Sequence, residues 1–443
     1  MYFLMFAVLF VLLTAVNRAA FGNQLRITDL FNAVWCFCAG GAAQGFLGFD
    51  RPRLLISAMA MVTAAVLNGV YILLCKCDKD LMVPVEYDRR SFTSTVQFPA
   101  LLLVHAACYL YSLPYLRRAI VIIAGNGFGA LRATAYKTSE AMASTTAELL
   151  LFQWLVEPAF GATILIAVVS AVLGMKRSGW LLALSASDIA IYTLMFGGRG
   201  LFVRLIGYCV LSVLFLEGRR IIQFVRERWK VLALALIAFL VAAYLTTKRS
   251  VVGMNVIQNV YVYFAGAFVY LDKLLAYHPV GEYYLWGQAL FGSVVSPIWM
   301  AAKIFFGVDY AAADFVITSY TSVDYAISPT IRLNAMTTML YPFLADFGYA
   351  GLVIGPTFLG TIVMLAERNF KKKGTVSSLC IMIYAFYDLI VTVASYPFYT
   401  PSALFTVLFF LLFMTPISLK NGMLTIKTAP RAKQRTPDIE YIV

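Results

Sequence analysis

The stretch LLFQWLVEPAFGATILIAVVSAVL, residues 150–173, decides the fold class, because it is long and apolar enough to cross the roughly 30 Å of hydrocarbon in a bilayer as a helix. Similar apolar runs recur along the chain, near residues 2–16, 31–49, 54–75, 97–116, 179–196, 201–216, 230–246, 343–366, 375–395 and 402–418. The pattern predicts an all-α polytopic membrane protein with about 11 transmembrane helices, built as a single integral membrane domain over residues 1–443.

The composition supports this class. Hydrophobic residues make up 61% and charged residues 13% of the 443 residues, against roughly 45–50% and about 25% in soluble domains. In a polytopic protein the net charge of +13 marks cytoplasmic loops and anionic lipid rather than nucleic acid, for which no binding module is present. The seven cysteines show no metal-ligand spacing, so we expect neither a metal nor a cofactor.

Basic loops set the predicted orientation, because cytoplasmic loops are enriched in Lys and Arg. The basic tail 419–443 is predicted to be cytoplasmic, and an odd number of spans then places the N-terminus outside. The long segment 246–342 becomes extracytoplasmic. The same parity puts these basic clusters on the cytoplasmic side: Arg18 and Arg26; Lys76, Lys79, Arg89 and Arg90; Lys176 and Arg177; Arg219, Arg220, Arg226, Arg228 and Lys230; Arg368, Lys371, Lys372 and Lys373.

Two parts of the outer segment, 251–275 and 287–307, are apolar enough to enter the membrane. Both contain Gly, Asn, Tyr or a lone Lys, which fits interfacial or re-entrant helices better than full spans. If only one of them crossed, the predicted orientation would change. In the segment 119–149, a run of three glycines, Gly125, Gly127 and Gly129, predicts a broken helix.

The predicted outer side keeps arginines that the positive-inside rule should make scarce. A guanidinium forms paired hydrogen bonds to phosphate and keeps its charge, so the set favours a lipid-linked pyrophosphate. The alternative is that these arginines only extend their charged ends to the lipid headgroups, above all Arg51, Arg53, Arg117 and Arg118. The set comprises Arg51, Arg53, Arg117, Arg118, Arg132, Arg199, Arg249 and Arg332.

Arg199 and Arg204 have the most informative settings. Arg199 lies in the turn Gly197-Gly-Arg-Gly200, whose glycines allow close backbone approach to an anion at the start of the next helix. Arg204 lies about one turn inside a span, where a charge costs roughly 2.5 kcal/mol or more and is functional by default. We predict that both bind pyrophosphate, with Asp188 as a structural partner of one of them.

A second group of candidate site residues leads into the ninth predicted helix. It reads Ser328-Pro-Thr-Ile-Arg332-Leu-Asn334, followed by Tyr341-Pro-Phe-Leu-Ala-Asp346-Phe-Gly348. Arg332 and Arg249 are further candidates for pyrophosphate binding. Asp346 is a candidate catalytic residue, or a helix cap. The glycines that follow fit close helix packing.

Only two histidines are present. His105 lies within a span and fits a hydrogen-bonded packing role. His278 lies outside and is a candidate general base, with Glu282, four residues on, as its orienting partner or as the base itself. Asp309, Asp314 and Asp324 remain alternatives on the same side. No Walker loop or metal-ligand spacing points to nucleotide sugars or metals.

These motifs resemble those of the bacterial oligosaccharide repeat-unit polymerases, the Wzy-type polymerases of O-antigen and capsule. The residues that carry the resemblance lie within about 150–395: the Gly197-Gly-Arg-Gly200 turn, Tyr261-Val-Tyr-Phe-Ala-Gly266, and Asn334 to Gly360 with Tyr341 and Asp346-Phe-Gly348. The resemblance implies a C-type glycosyltransferase-like (GT-C) fold in the bacterial inner membrane. It also implies undecaprenyl-pyrophosphate-linked glycans as donor and acceptor, with Arg199, Arg249 and Arg332 on the pyrophosphates.

The sequence therefore predicts a metal-independent glycosyltransferase that polymerises lipid-linked repeat units. Membrane lipids, a chain-length regulator and a flippase are the expected partners. Two other functions remain open: a flippase for the same lipid-linked oligosaccharide, and an O-antigen ligase. The long segment 246–342 argues against the flippase, which needs short loops and a charged central path.

Overall fold

The computed structural model describes residues 2–82, 86–87, 92, 96–137, 146–196, 198–217, 256–308, 312–415, 417–420, 423–426 and 434–435, with isolated positions at 233, 237, 240 and 241. This part of the chain is mostly helical. The helices are α1 Tyr2–Phe21, α2 Ile27–Gln44, α3 Leu54–Cys77, α4 Lys79–Met82, α5 Phe98–Lys137, α6 Thr146–Leu151, α7 Glu157–Leu173, α8 Ser178–Phe196, α9 Gly200–Glu217, α10 Val256–Tyr277, α11 Gly292–Phe306, α12 Ala313–Thr321, α13 Leu340–Phe347, α14 Gly351–Lys373, α15 Val376–Val391 and α16 Ser402–Met414.

In the described part of the chain, three short sheets accompany the helices, each of two antiparallel strands. The strand pairs are Glu86–Tyr87 with Gln434–Arg435, Tyr325–Ala326 with Arg332–Leu333, and Ile417–Lys420 with Met423–Ile426. A π-helical turn, Phe152–Val156, joins α6 to α7.

The protein is a multi-pass membrane protein. Among the described residues, seven helices are long and apolar enough to cross a bilayer, and four more apolar helices are shorter. The shorter set consists of Gly200–Leu216, Gly292–Phe306, Val376–Val391 and Ser402–Met414. The predicted span at 230–246 falls almost entirely outside the described residues.

Glycines break two of the predicted helices. In α5 the backbone at Gly127 is non-helical, with φ 77° and ψ 170°, as the glycine run predicts. The predicted span 343–366 is divided between α13 and α14, because Gly348 has φ 57°, which ordinary L-residues avoid. Past the break, a Cβ on Gly351 would collide with the carbonyl of Phe343, so this glycine provides the close helix packing expected of it.

The chain forms two compact units. Unit 1 contains Met1–Pro84, Val251–Arg368 and Asp388–Ala403, and unit 2 contains Val85–Ser250, Asn369–Tyr387 and Leu404–Val443. Each unit therefore draws helices from distant parts of the sequence.

One end of unit 1, the Arg26 end, gathers residues predicted to be cytoplasmic. Arg26 lies 2.5 Å from Glu367, whose other carboxylate oxygen accepts a hydrogen bond from the Tyr71 hydroxyl. Arg368 forms an ion pair with Asp78 at 2.6 Å. These contacts bring together the α1–α2 loop, the C-terminal part of α3 and the C-terminal part of α14.

The opposite end of unit 1, the Arg53 end, gathers residues predicted to lie outside. Arg53 donates to the carboxylate of Asp272, and the backbone N–H of Asp50 donates to the carbonyl of Ile327 at 2.8 Å. The loop between α2 and α3 therefore contacts both the end of α10 and the 325–333 hairpin.

Helix α10 contacts one loop at widely separated points. Tyr261 stacks on Phe49 with ring centroids 5.5 Å apart, and Lys273 lies 2.7 Å from Asp50. The intervening helix rises about 18 Å. The 258–277 part of α10 is long and apolar enough to be a span.

In unit 2, the bundle encloses a polar cluster on α5 and α8. His105 Nε2 lies 3.1 Å from Asp188, which also accepts a 2.7 Å hydrogen bond from the Tyr109 hydroxyl. His105 is thus the hydrogen-bonded packing residue that the sequence predicts. The expectation that Asp188 pairs with Arg199 or Arg204 is wrong for Arg204, whose carboxylate partner is Glu157.

Candidate functional site

In unit 1, His278 and Glu282 form a pair just past the end of α10. His278 Nδ1 lies 3.1 Å from Glu282 Oε2, and the two side chains are 27% and 40% exposed. A carboxylate only accepts, so Nδ1 carries the proton in this contact and Nε2 of a neutral ring is left basic. Within the described part of the chain, no group is within hydrogen-bond distance of Nε2. Glu282 can therefore orient and polarise the His278 imidazole, whose Nε2 is then available as a base.

Aromatic rings lie beside this pair. We call the following five residues the tyrosine cluster: Tyr283, Tyr320 and Tyr341, which are linked to His278 through Tyr320, and Tyr277, which precedes His278 in the chain, with Tyr325 stacked on it. Tyr283 and Tyr320 stack at 4.9 Å, and the His278 ring meets Tyr320 edge-on at 4.5 Å. The Tyr283 and Tyr341 hydroxyls lie 2.7 Å apart. Burial raises the pKa of Tyr283 to about 12, so its hydroxyl stays protonated near neutral pH. Ring faces and hydroxyls of this kind suit a sugar.

Arg332 lies beside the tyrosine cluster on the short hairpin. The Ser328 hydroxyl accepts hydrogen bonds from the N–H groups of Thr330 and Ile331 and so shapes the turn. Arg332 pairs with Ala326 across the strands, next to Tyr325, which stacks on Tyr277 at 5.2 Å. The guanidinium is exposed and donates to the Asp324 carbonyl at 2.9 Å. Among the described residues, no carboxylate neutralises it.

Asp346 lies in α13 and is fully buried. Its carboxylate accepts backbone hydrogen bonds from Ala289 at 2.9 Å and Leu290 at 2.6 Å. Its own carbonyl accepts the N–H of Trp286 at 3.2 Å, where the backbone has a positive φ of 53°. Both carboxylate oxygens thus fix the 285–290 loop, which favours a structural role over a catalytic one or a helix cap.

In unit 2, Arg204 and Glu157 form an ion pair between α9 and α7. Arg204 Nη2 lies 2.9 Å from Glu157 Oε1, with side chains 28% and 21% exposed. Tyr208, one turn further along α9, packs against Tyr387 with ring centroids 4.8 Å apart. The ion pair is therefore only partly exposed and lies near buried tyrosine rings.

Arg199 lies where the sequence predicts, directly before α9. Helix α8 ends at Phe196 and α9 begins at Gly200, and the Arg199 carbonyl accepts the N–H of Val203 at 3.1 Å. A Cβ on Gly198 would lie 2.6 Å from the Tyr192 ring, so a glycine is needed for this close turn. Arg199 itself is half-buried.

Two predicted residues, Arg249 and Asp309, lie outside the described residues. Of the other candidates, unit 1 holds His278, Glu282, Arg332 and Asp346, and unit 2 holds Arg199 and Arg204. Sequence reasoning missed Glu157. The signal that could have found it is the same one that found Arg204: a charged residue inside an otherwise apolar run.

No family model matches the chain, and no match was found among curated proteins or solved structures.

Proposed function

We propose that the protein polymerises lipid-linked oligosaccharide repeat units. The observation that carries the proposal is the His278–Glu282 pair, with a basic Nε2 facing no protein partner among the described residues, set in the tyrosine cluster beside Arg332. A glycosyl transfer needs a base for a sugar hydroxyl, surfaces for sugar rings and a cation for the leaving group.

The reaction joins two undecaprenyl-pyrophosphate-linked glycans. The acceptor hydroxyl attacks the anomeric carbon of the growing chain, a glycosidic C–O bond forms, and the C–O bond to the donor pyrophosphate breaks. His278 Nε2 takes the hydroxyl proton, and Glu282 stabilises the imidazolium that results. The undecaprenyl pyrophosphate leaves with the electron pair of the broken bond.

The departing pyrophosphate gains negative charge in the transition state, so a fixed cation beside it lowers the barrier. The exposed Arg332 suits this role in unit 1, and Arg199, Arg204 and Arg249 are the other proposed pyrophosphate ligands. Asp346 acts by fixing the 285–290 loop and is not needed as a base.

We propose about 11 spans in a GT-C-like arrangement in the bacterial inner membrane, with the N-terminus outside and the tail 419–443 inside. The His278 site then faces the extracytoplasmic side, where a flippase would deliver repeat units and a chain-length regulator would act.

Deletion of the protein in its native host tests the function. We expect single repeat units on the cell surface in place of long chains, with full length restored by the wild-type gene and not by an Arg199→Ala variant expressed at the same level. Removing such a charge contact typically costs about 10²–10³-fold in rate.

The two alternative functions give different deletion phenotypes. Loss of a flippase would leave no repeat units outside, and loss of a ligase would leave long chains that are not attached to the lipid A core. Either result would contradict a polymerase.

A further inference from the structure

The Arg204–Glu157 pair of unit 2 is a charged pair on apolar helices. Glu157 belongs to the candidate span Phe152–Leu173, and Arg204 lies in the apolar helix Gly200–Leu216. Charges in such segments are expensive and persist where they pair or serve a ligand. At 2.9 Å, the Glu157 carboxylate balances the positive charge of Arg204.

The pairing leaves most of the guanidinium unused. Glu157 accepts from Nη2 alone, and a guanidinium has five N–H groups. Among the described residues, no other acceptor lies within hydrogen-bond distance of Arg204. The side chain is 28% exposed, so the unused N–H groups can reach a ligand. Glu157 therefore fixes one side of the guanidinium, and the N–H groups on its other sides are available to bind a ligand.

The local backbone is adapted to this contact. The π-helical turn Phe152–Val156 ends directly before Glu157 and changes the direction in which the following residues point. One turn further on, a Cβ on Gly161 would lie 3.0 Å from Arg204 Nη1. A glycine at this position therefore gives the guanidinium its space.

We infer that Glu157 is a positioning residue that holds Arg204 so that its free N–H groups bind a diphosphate. The inference rests on the proposed function, in which the diphosphate is the headgroup of a polyprenyl carrier. A planar guanidinium fork matches phosphate oxygens bidentately, and holding it in advance removes the entropy loss of ordering a long side chain on binding.

Binding of farnesyl diphosphate to the full-length protein in detergent tests the inference, with farnesyl phosphate and inorganic pyrophosphate as comparison probes. We expect Arg204→Gln to abolish measurable binding and Glu157→Gln to weaken it roughly 3- to 10-fold, because the neutral amide holds the guanidinium less firmly. The melting temperature without ligand should change less for Glu157→Gln than for Asp188→Asn, which disrupts a fully buried carboxylate.

The sign of the Glu157→Gln effect separates positioning from simple charge neutralisation. If Glu157 only competes with the ligand, removing its charge will tighten binding, and tighter or unchanged binding overturns the inference. Gly161→Ala provides a test that alters no charge: it should weaken binding, whereas Gly179→Ala, which has open space around the added methyl, should not.

Equal affinity for pyrophosphate and farnesyl diphosphate would support a diphosphate site whose ligand is the free anion rather than the lipid. A wild-type protein that binds none of the probes overturns this site, whereas the deletion phenotype tests the polymerase itself.

Discussion

Arg53 and Asp272 are joined by three hydrogen bonds at one end of unit 1. The Arg53 backbone N–H and Nε donate to the Asp272 carboxylate at 3.1 and 2.6 Å, and Nη2 donates to the Asp272 carbonyl at 3.1 Å. An arginine that fits headgroup snorkelling by sequence thus has a protein partner. The contact fastens α10 to the start of α3.

We expect Asp272→Asn to lower the free energy of unfolding by about 1–2 kcal/mol, since hydrogen bonds to charged groups contribute about 1.5–3 kcal/mol and half-exposed Arg53 is partly screened. Chemical denaturation in detergent measures this. The neighbouring Lys273→Ala change breaks a more exposed pair with Asp50 and should cost less than about 1 kcal/mol. Equal losses for the two variants would contradict the special role of Asp272.

The loop that presents Trp286 depends on Asp346. Replacing Asp346 by Ala leaves the buried N–H groups of Ala289 and Leu290 without acceptors, at about 1–3 kcal/mol each. We expect Asp346→Ala to destabilise the protein by several kcal/mol and Asp346→Asn, which keeps one acceptor oxygen, by less. Thermal unfolding monitors both. A variant of full stability that made no polymer would instead support a catalytic Asp346.

The His278–Glu282 pair assigns different roles to its two members. We expect His278→Gln to reduce polymerisation about 10²–10³-fold and Glu282→Gln about 10-fold, because a base is lost in the first case and only its orientation in the second. Radiolabelled repeat-unit incorporation in membranes measures the rates. Asp324→Asn is the matched control, since only the Asp324 backbone carbonyl contacts Arg332. A larger loss in Glu282→Gln than in His278→Gln would make Glu282 the base.

Local patterns in the sequence predict much of this fold. Apolar length predicts the span-capable helices, the glycines of 197–200 predict the turn before α9, and Gly127 interrupts α5 as expected. Each of these features depends on neighbouring residues alone. The sequence also offers Glu282 as the orienting partner of His278, and the two are in contact across the turn that follows α10.

Pairings between distant helices are not predictable in this way. Asp188 contacts His105 and Arg204 contacts Glu157 because of helix packing, which no local pattern encodes. The sequence therefore offered Asp188 as an arginine partner and left Glu157 unnoticed. In the same way, Asp346 contacts a loop more than fifty residues earlier in the chain. The residues around Asp346 in the sequence therefore do not indicate that it supports this loop.

Asp314 predicts a pH dependence of stability. Burial raises the pKa of its carboxyl above the usual value. A carboxyl whose pKa is higher in the folded state favours the folded protein at low pH, and that contribution is lost as pH rises through its folded-state pKa. We expect Asp314→Asn to be more stable than the wild type at pH 7 and equally stable near pH 3, measured by thermal unfolding. A variant that is less stable at pH 7 would contradict the prediction.

The course of α10 predicts which side its two ends face. Tyr261 and Lys273 both contact the Phe49–Asp50 part of one loop, so a helix running across the Arg53 end should expose both ends to the same side. In a cysteine-free background we expect Gln258→Cys and Tyr277→Cys to react with a membrane-impermeant maleimide added outside intact spheroplasts, while Lys427→Cys in the basic tail reacts only after lysis. A helix that spans the bilayer would give opposite results for positions 258 and 277. That outcome would also reverse the side assigned to one part of the chain, and with it the argument that the arginines on the outer face are there to bind a lipid diphosphate.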